Sequence, residues 1–383
     1  MTANATPAAR VRAWSAEEFA ASRSAWNDLL ARSDADPLFM CWDWQSRWWK
    51  HHQGLLGATL AIAAVYVGDR LAGLAPFYLR KVTVRRLMRL RRLELIGIAW
   101  RTPRAMFSDY LDIIADRSLR EAVIAALDEW LEAQPFWDEL ALCCTKHGSI
   151  AAELAAERLP RYTYVREVDP ASGWCAQLPA SFDDYVRSLA PEVRRKLFNQ
   201  RRKLSNAQLE YATEADLVPT LELLWRFSAA RWGGRPIQAH IKSFYDEIGF
   251  ELARTQELRL SRLAIAGAPR SVLYNVQRGD TVYYLQSAFD ADAARGLSPG
   301  YLHFGYAIEA ACNERLKRFD FLVGRGRNRD YKQDLRTEIV PVVSYHAVRQ
   351  AVARLLYSAY EGVLGRQKNM SKMRRQHAVR RKS

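Results

Sequence analysis

The chain has 383 residues, 49% of them hydrophobic and 26% charged. That excludes a disordered protein, and at ~100–200 residues per domain it allows two or three domains. The net charge of +15 argues for a phosphate-rich or otherwise anionic partner without saying which.

The longest apolar run, Leu55–Val67, contains Gly57 and Thr59 and is too short to cross a bilayer. The first residues, MTANATPAARVRAW, lack the apolar stretch of a secretory signal, so a cytoplasmic location is expected. Five cysteines without metal spacing fit a reduced compartment and no metal site. Residues 1–12 read as a disordered N-terminus. Ser15 and Glu18 form a capping box, opening a helix that runs to about Ala31. Five aromatics follow between Phe39 and Trp49, too dense for a surface helix. Leu60–Val67 and Leu71–Leu79 flank Gly68-Asp69-Arg70 and predict a hairpin. Lys81–Arg92 is a basic stretch. Leu93–Ile98, Tyr110–Ile114 and Glu139–Cys144 read as strands, and Ser118–Ala133 has helical spacing. Alternating strands and helices favour an α/β sheet.

Turn residues between 165 and 180 mark a boundary. Phe182–Ser205, interrupted by Pro191, Ala215–Trp232 and Gln238–Leu252 read as helices. Leu258–Ala266, Ser271–Arg278 and Thr281–Phe289 form a meander. A helix over 300–315 and strands Phe319–Val323 and Val340–Val348 complete this half. The two halves share a strand–turn–strand pattern, LAIAAVYVGDRLAGLAPFY in one and LRLSRLAIAGAPRSVLYNV in the other. Tandem copies of one α/β fold account for it. The domains are therefore set at 13–165 and 180–348, with an amphipathic helix and basic tail over 349–383.

The most informative segment is Arg295-Gly-Leu-Ser-Pro-Gly300, between a strand and a helix start. Backbone N–H groups and the positive helix end there suit an anion, and Gly296 and Gly300 allow close approach. An ordinary cap built from Ser298 and Pro299 is the competing reading.

In its wider setting the segment resembles a known family. The hairpin over 260–278, the strand YYLQSAFD, the R-G-x-S-P-G loop, the helix YLHFGYAIEAAC, the strand Arg318–Leu322 with Gly324, and Tyr331-Lys332 resemble the acetyltransferase domain of CelD/BcsL-like proteins. These are linked to cellulose and exopolysaccharide production and belong to the GNAT superfamily. Trp42–Trp49 and Ser108–Asp112 extend the resemblance over about residues 14–348. It implies two tandem GNAT-like units, each a mixed twisted sheet flanked by helices, related to Fem-type aminoacyltransferases. It also implies acyl-CoA as co-substrate, acetyl-CoA foremost, held by Ser287, Phe289, Arg295, Gly296, Leu297, Ser298 and Gly300. The segment Arg325–Asp330 departs from the family's short acidic one, being basic and longer, which favours an anionic acceptor.

Acyl transfer needs an oxyanion donor, a base and a proton for the leaving thiol. A backbone N–H of the strand before Asp290 is the natural oxyanion donor. Asp290 is a candidate base or a turn cap. Tyr283 and Tyr284 face opposite sides of their strand, so at most one meets the cleft; Tyr284 is the candidate proton donor. Lys332 is a candidate for holding phosphate or developing charge, with a solvated surface lysine as the competing reading. Asp109, Tyr110, Arg231, Arg327 and Tyr331 are candidate acceptor-binding residues. The first half has Asp116-Arg-Ser118 where the second has its glycine loop, so it is expected to hold no donor. The tail carries Arg366, Lys368, Lys372, Arg374, Arg375, Arg380, Arg381 and Lys382, and a peripheral contact with anionic lipid is a further expectation. The leading function is acyl-CoA-dependent acylation, N-acyl transfer foremost, of a sugar, polysaccharide or cell-envelope precursor. The alternatives are a Fem-type aminoacyl-tRNA-dependent transferase, for which tRNA would be the partner, and a non-catalytic scaffold in polysaccharide export.

Overall fold

The computed structural model describes residues 8–84, 87–102, 105–199, 204, 206–231, 233–290, 298–324, 330–355 and 357. The first half contains β1 (Ala9–Ala13), α1 (Ala16–Ala21), α2 (Arg23–Ala31), α3 (Trp42–Leu56), β2 (Thr59–Leu60), β3 (Ala63–Val67), β4 (Arg70–Ala75) and β5 (Phe77–Val84). It continues with β6 (Met88–Leu95), β7 (Ile114–Ala115), α4 (Arg120–Ala133), β8 (Glu139–Lys146), α5 (Ile150–Glu153) and β9 (Tyr164–Glu167). The second half opens with β10 (Ala171–Gln177), α6 (Phe182–Ser188), α7 (Pro191–Arg194), β11 (Ala207–Tyr211), α8 (Leu217–Arg231) and α9 (Ala239–Arg254). The meander β12 (Leu258–Ile265), β13 (Ala268–Arg278) and β14 (Thr281–Phe289) follows, then α10 (Pro299–Asn313), β15 (Arg318–Val323) and β16 (Thr337–Val348).

One mixed sheet runs through both halves in the order β11-β12-β13-β14-β15-β10-β16-β8-β6-β5-β2, with β9 beside β16. A smaller sheet, β1-β3-β4-β7, covers the first half. The halves repeat one plan. In each, an antiparallel meander leads through a helix to a strand that pairs in parallel with the meander's last member: β6 with β8, and β14 with β15. This is the tandem α/β arrangement expected from the sequence.

Several local expectations change. Residues 9–13 are not part of a disordered terminus: they pair along all five positions with β3, which supplies the backbone partners that composition alone does not reveal. The basic stretch is the β5–β6 hairpin, and its cations are partly spent inside the fold. Arg80 donates to Glu94 and Arg92 to Glu139, all four being buried. The segment Tyr110–Ile114 is not a strand; only Ile114–Ala115 pair. Pro191 does interrupt the helical stretch, opening α7 after α6 ends. Residues 351–355 are helical, and Ala353 and Tyr357 pack on Val84, Leu90 and Val348; the basic tail beyond them lies outside the described residues.

The aromatic-rich segment 39–49 becomes α3, and its density has a packing cause: α3 is sandwiched between the halves. Trp44 meets Phe244 of α9 edge-on at 4.9 Å. Around this contact Arg23 and Arg47 pair with Glu251, and Lys50 with Glu247.

Helix α10 is anchored from below by His303, which is fully buried. Its Nε2 lies 2.9 Å from Ser261 Oγ on β12, and its Nδ1 lies 3.0 Å from Ser271 Oγ on β13. Ser271 Oγ donates to the carbonyl of Ala288, so it accepts from Nδ1–H, and Nε2 accepts from Ser261. The ring is therefore neutral, and burial pushes its pKa down to about 3. A histidine depressed in this way gives its full stabilisation above the unfolded value near 6.5 and loses it as the pH falls below that. Replacing His303 by Asn should therefore cost less at pH 5 than at pH 7.5, by about 2 kcal/mol. Urea unfolding of both proteins at the two pH values measures this; a pH-independent difference would show that the ring is charged in the fold.

Candidate active site

The site grows from an irregularity in β14. Opposite β13, Asn275 faces Tyr284 but Tyr274 faces Gln286, so Leu285 is an extra residue and β14 is bulged. A bulge shifts the alternation of side chains by one. Tyr284, Ser287 and Phe289 consequently line the same cleft. On its other edge β14 pairs with β15 only from Thr281 to Tyr283, opposite Arg318 to Asp320. Beyond Tyr283 and Asp320 the two strands part. A cavity of about 630 Å³ opens there, walled by β14, the end of β15, the first turns of α10, and residues of α3, α8 and α9.

Tyr283 and Tyr284 do face opposite sides. Tyr283 is buried beneath the sheet, edge-on to Phe39 at 6.2 Å. Tyr284 faces the cleft, edge-on to Phe304 at 4.9 Å. Its hydroxyl lies 2.6 Å from Ser287 Oγ and also meets the hydroxyl of Tyr331. Burial raises the pKa of the Tyr284 phenol, so it stays protonated at neutral pH.

Lys332 is buried, not solvated, at 7% exposure. It follows the end of β15, and its Nζ donates to the carbonyls of Phe321 and Leu322, the latter at 3.3 Å. These carbonyls belong to the part of β15 that β14 has left. Burial pushes the Lys332 ammonium down to about 8, opposed by Asp109 and Asp320. Leu322 itself has φ +60, left-handed backbone that a bulky side chain rarely adopts.

The cleft thus brings together Tyr284, Ser287, Phe289, Gly300, Asp109, Arg231, Tyr331 and Lys332 from the sequence-derived set. The Arg231 guanidinium lies 5.1 Å from the Phe289 ring centroid. Three described candidates, Asp290, Tyr110 and Ser298, are not among the cavity-lining residues. Asp290 accepts from Arg270 Nη1 at 2.7 Å across the β13–β14 hairpin and is not among the cavity-lining residues. An arginine three residues past the β12–β13 turn is thus its neighbour, which linear spacing does not show. Tyr110 is buried and its hydroxyl bonds Asp320, so it does not line this cavity. Ser298 precedes α10 but its hydroxyl makes no capping bond to the first turn. Arg295, Gly296, Leu297 and Arg327 lie outside the described residues.

The sequence did not single out Phe107, Tyr245, Tyr301 and Phe304, or give Phe39 and Trp44 a place in the site. With Tyr284, Phe289 and Tyr331 they make nine aromatic residues in the lining. Aromatic density over 39–49 was the visible signal; the contribution from α9 carries none. Among the described residues no cluster of His, Cys, Asp and Glu could hold a metal ion. Nor is any described helix long and apolar enough to cross a membrane.

The first half treats its corresponding cleft differently. Cys144, near the end of β8, has φ +59, as Leu322 has on β15. Its carbonyl accepts from the backbone N–H of Leu111 at 3.0 Å, so the first half's own chain enters the gap. The Asp112 carboxylate accepts from the N–H groups of Ile113 and Ala151. Asp116 accepts from Ser118 before α4 and pairs with Arg32 and Arg70. Internal carboxylates occupy the donors that an anionic ligand would need.

Residues 191–333 match the family model described as an acetyltransferase (GNAT) domain. Among solved structures, FemX covers 90% of this chain and 99% of its own length at 12% identity, with a TM-score of 0.60. A conserved protein of unknown function from Bacteroides thetaiotaomicron VPI-5482 covers 86% of this chain and 96% of its own, also at 12% identity, with a TM-score of 0.54. A search of the curated proteins finds no match. Residues 191–333 of the second half thus carry a GNAT-type acetyltransferase domain, and nine-tenths of the chain shares its fold with FemX.

Replacing Tyr284 by Phe keeps the ring against Phe304 and deletes the hydroxyl bonds to Ser287 and Tyr331. Unfolding free energy should fall by about 1 kcal/mol. Tyr284→Leu, which also loses the edge-on contact, should cost more. Chemical denaturation measures both; equal losses would mean that the ring's contact with Phe304 adds nothing.

Proposed function

We propose that the chain is an acyltransferase that takes an acyl group from acyl-CoA, acetyl-CoA foremost, and delivers it to a sugar, polysaccharide or cell-envelope precursor. The observation that carries this reading is the parting of β14 and β15 over a cavity that reaches the first turn of α10. GNAT domains generally use acyl-CoA, and the residues present fit such a donor. Helix α10 runs for 15 residues and, among the described residues, has no side-chain cap at Ser298, which suits its positive end to an anion. A Cβ on Gly300 would have only Phe289 within 4 Å, at 3.8 Å, so the backbone there is open to close approach.

The thioester supplies an activated acyl carbon when the donor is bound. Backbone N–H groups of β14 past Tyr283 have no partner on β15 and serve as oxyanion donors. The Tyr284 hydroxyl, protonated and linked to Ser287 and Tyr331, supplies the proton that the leaving thiolate needs. Lys332 places a cation at the β15 side of the gap, and Asp109 a carboxylate. The aromatic walls keep water from the reacting centre. The acceptor is read as anionic, from Arg325, Arg327 and Arg329 shortly before Lys332 in the sequence. The finer resemblance to CelD/BcsL-like proteins supports a polysaccharide acceptor. The net charge of +15 favours aminoacyl-tRNA as the alternative donor.

Isothermal titration of the full chain with acetyl-CoA should show one site per chain, since the Asp112 and Asp116 carboxylates already hold backbone donors at the starts of the first half's helices. Gly300→Val should keep the folded circular dichroism spectrum and lose most of that affinity. Binding of charged tRNA with no response to acetyl-CoA would replace the donor, and no response to either would leave a scaffold. Two acetyl-CoA per chain would mean that the first half opens to a ligand.

A further inference from the structure

The two halves share more than a sheet. A buried polar chain runs from the first half to the lysine of the second half's cleft. Tyr110, in the first-half segment that enters its own gap, donates its hydroxyl to Asp320 Oδ1 at 3.0 Å. The same oxygen accepts from the backbone N–H of Leu322 at 2.7 Å. Leu322 stands at φ +60, and its carbonyl, with that of Phe321, receives Lys332 Nζ. A leucine in left-handed backbone is strained and persists only when its surroundings over-determine it. Asp320 is the group that holds it: its carboxylate satisfies the Leu322 N–H inside the bend.

Tyr110 is itself over-determined. It has φ +55, and Lys146 Nζ lies 4.2 Å from its ring centroid, paired with Asp36 at 3.0 Å. Its hydroxyl is boxed against β10, where a Cβ on Gly173 would lie 2.4 Å from it. Only glycine at 173 leaves the hydroxyl room to reach Asp320.

We propose that Tyr110 is a positioning residue: through Asp320 it fixes the left-handed turn at Leu322 and so sets where Lys332 stands in the acyl-transfer cleft. The first half, with no donor of its own, acts as the clamp for the second half's lysine. The consequence for catalysis rests on the function proposed above; the lysine's position does not.

Competitive labelling of lysine amines with acetic anhydride, read residue by residue by mass spectrometry on the full chain, tests it. Lys332 in the parent should label far more slowly at pH 7 than the exposed Lys50. Tyr110→Phe should raise Lys332 labelling several-fold and leave Lys50 unchanged. Asp320→Asn and Asp320→Ala both remove the carboxylate charge near Lys332, but Asn keeps an oxygen for both donors, so Asp320→Ala should label Lys332 faster than Asp320→Asn. Leu322→Gly makes the left-handed turn inexpensive, so Tyr110→Phe added to it should have a smaller effect than in the parent. Folded Tyr110→Phe and Asp320→Ala proteins that label Lys332 at the parental rate would overturn the proposal. Should both fail to fold, Gly173→Ala crowds the same hydroxyl, and an unchanged Lys332 rate in that variant would overturn it equally. A thermal shift of the parent with acetyl-CoA reads the proposed function separately: its absence would remove the acyl donor and leave the labelling result standing.

Discussion

Parallel pairing between β14 and β15 lasts three residues and then stops. Nearly everything at the site follows from that interruption. Strands that part inside a sheet leave backbone donors and acceptors without their regular partners, and buried groups of this kind must be satisfied. On the β15 side Lys332 supplies the hydrogen bonds. On the β14 side a bulge turns Tyr284, Ser287 and Phe289 to one face. The cavity is the space between these two solutions.

The halves show two outcomes of the same plan. Both have a residue in left-handed backbone near the end of the second parallel strand, Cys144 in one and Leu322 in the other. In the first half a backbone amide from residue 111 closes the gap. In the second, one long flexible side chain does so. A backbone amide held within a chain segment is fixed in place, whereas a lysine carries four rotatable carbons and a titratable amine. The first-half strand end is thus met by a fixed backbone amide and the second-half strand end by an adjustable side chain.

Much of the scaffold was legible in the sequence. The capping box at Ser15, the meander over 258–289 and the helix–strand pair that follows are local patterns, set by periodicity and turn residues. Tyr284, Ser287, Gly300 and Lys332 were readable because they sit beside those patterns. What the sequence hid was non-local. The strand at 9–13 depends on an edge offered by residues 63–67. Asp290 looks like a free strand-end carboxylate until Arg270 is folded against it. The aromatics of α9 gain meaning only when α3 is laid over them, and Tyr110 is separated from Asp320 by 210 positions. The bulge at Leu285 inverts side-chain alternation without any glycine or proline to announce it.

The last strand has a further consequence. β16 lies between β10 and β8, so a residue range near the end of the chain completes the middle of the sheet. During synthesis the first half emerges with β8 complete yet one of its edges bare, and it stays bare until Val348 has been made. An exposed hydrophobic strand edge invites pairing with other chains. Seven of the eight residues of β8 are buried in the finished protein, five of them the apolar run Leu140–Cys144, so that waiting edge is largely hydrophobic. The chain therefore matures as one unit rather than half by half: truncation before residue 337 would strip the first half of a neighbour it cannot replace.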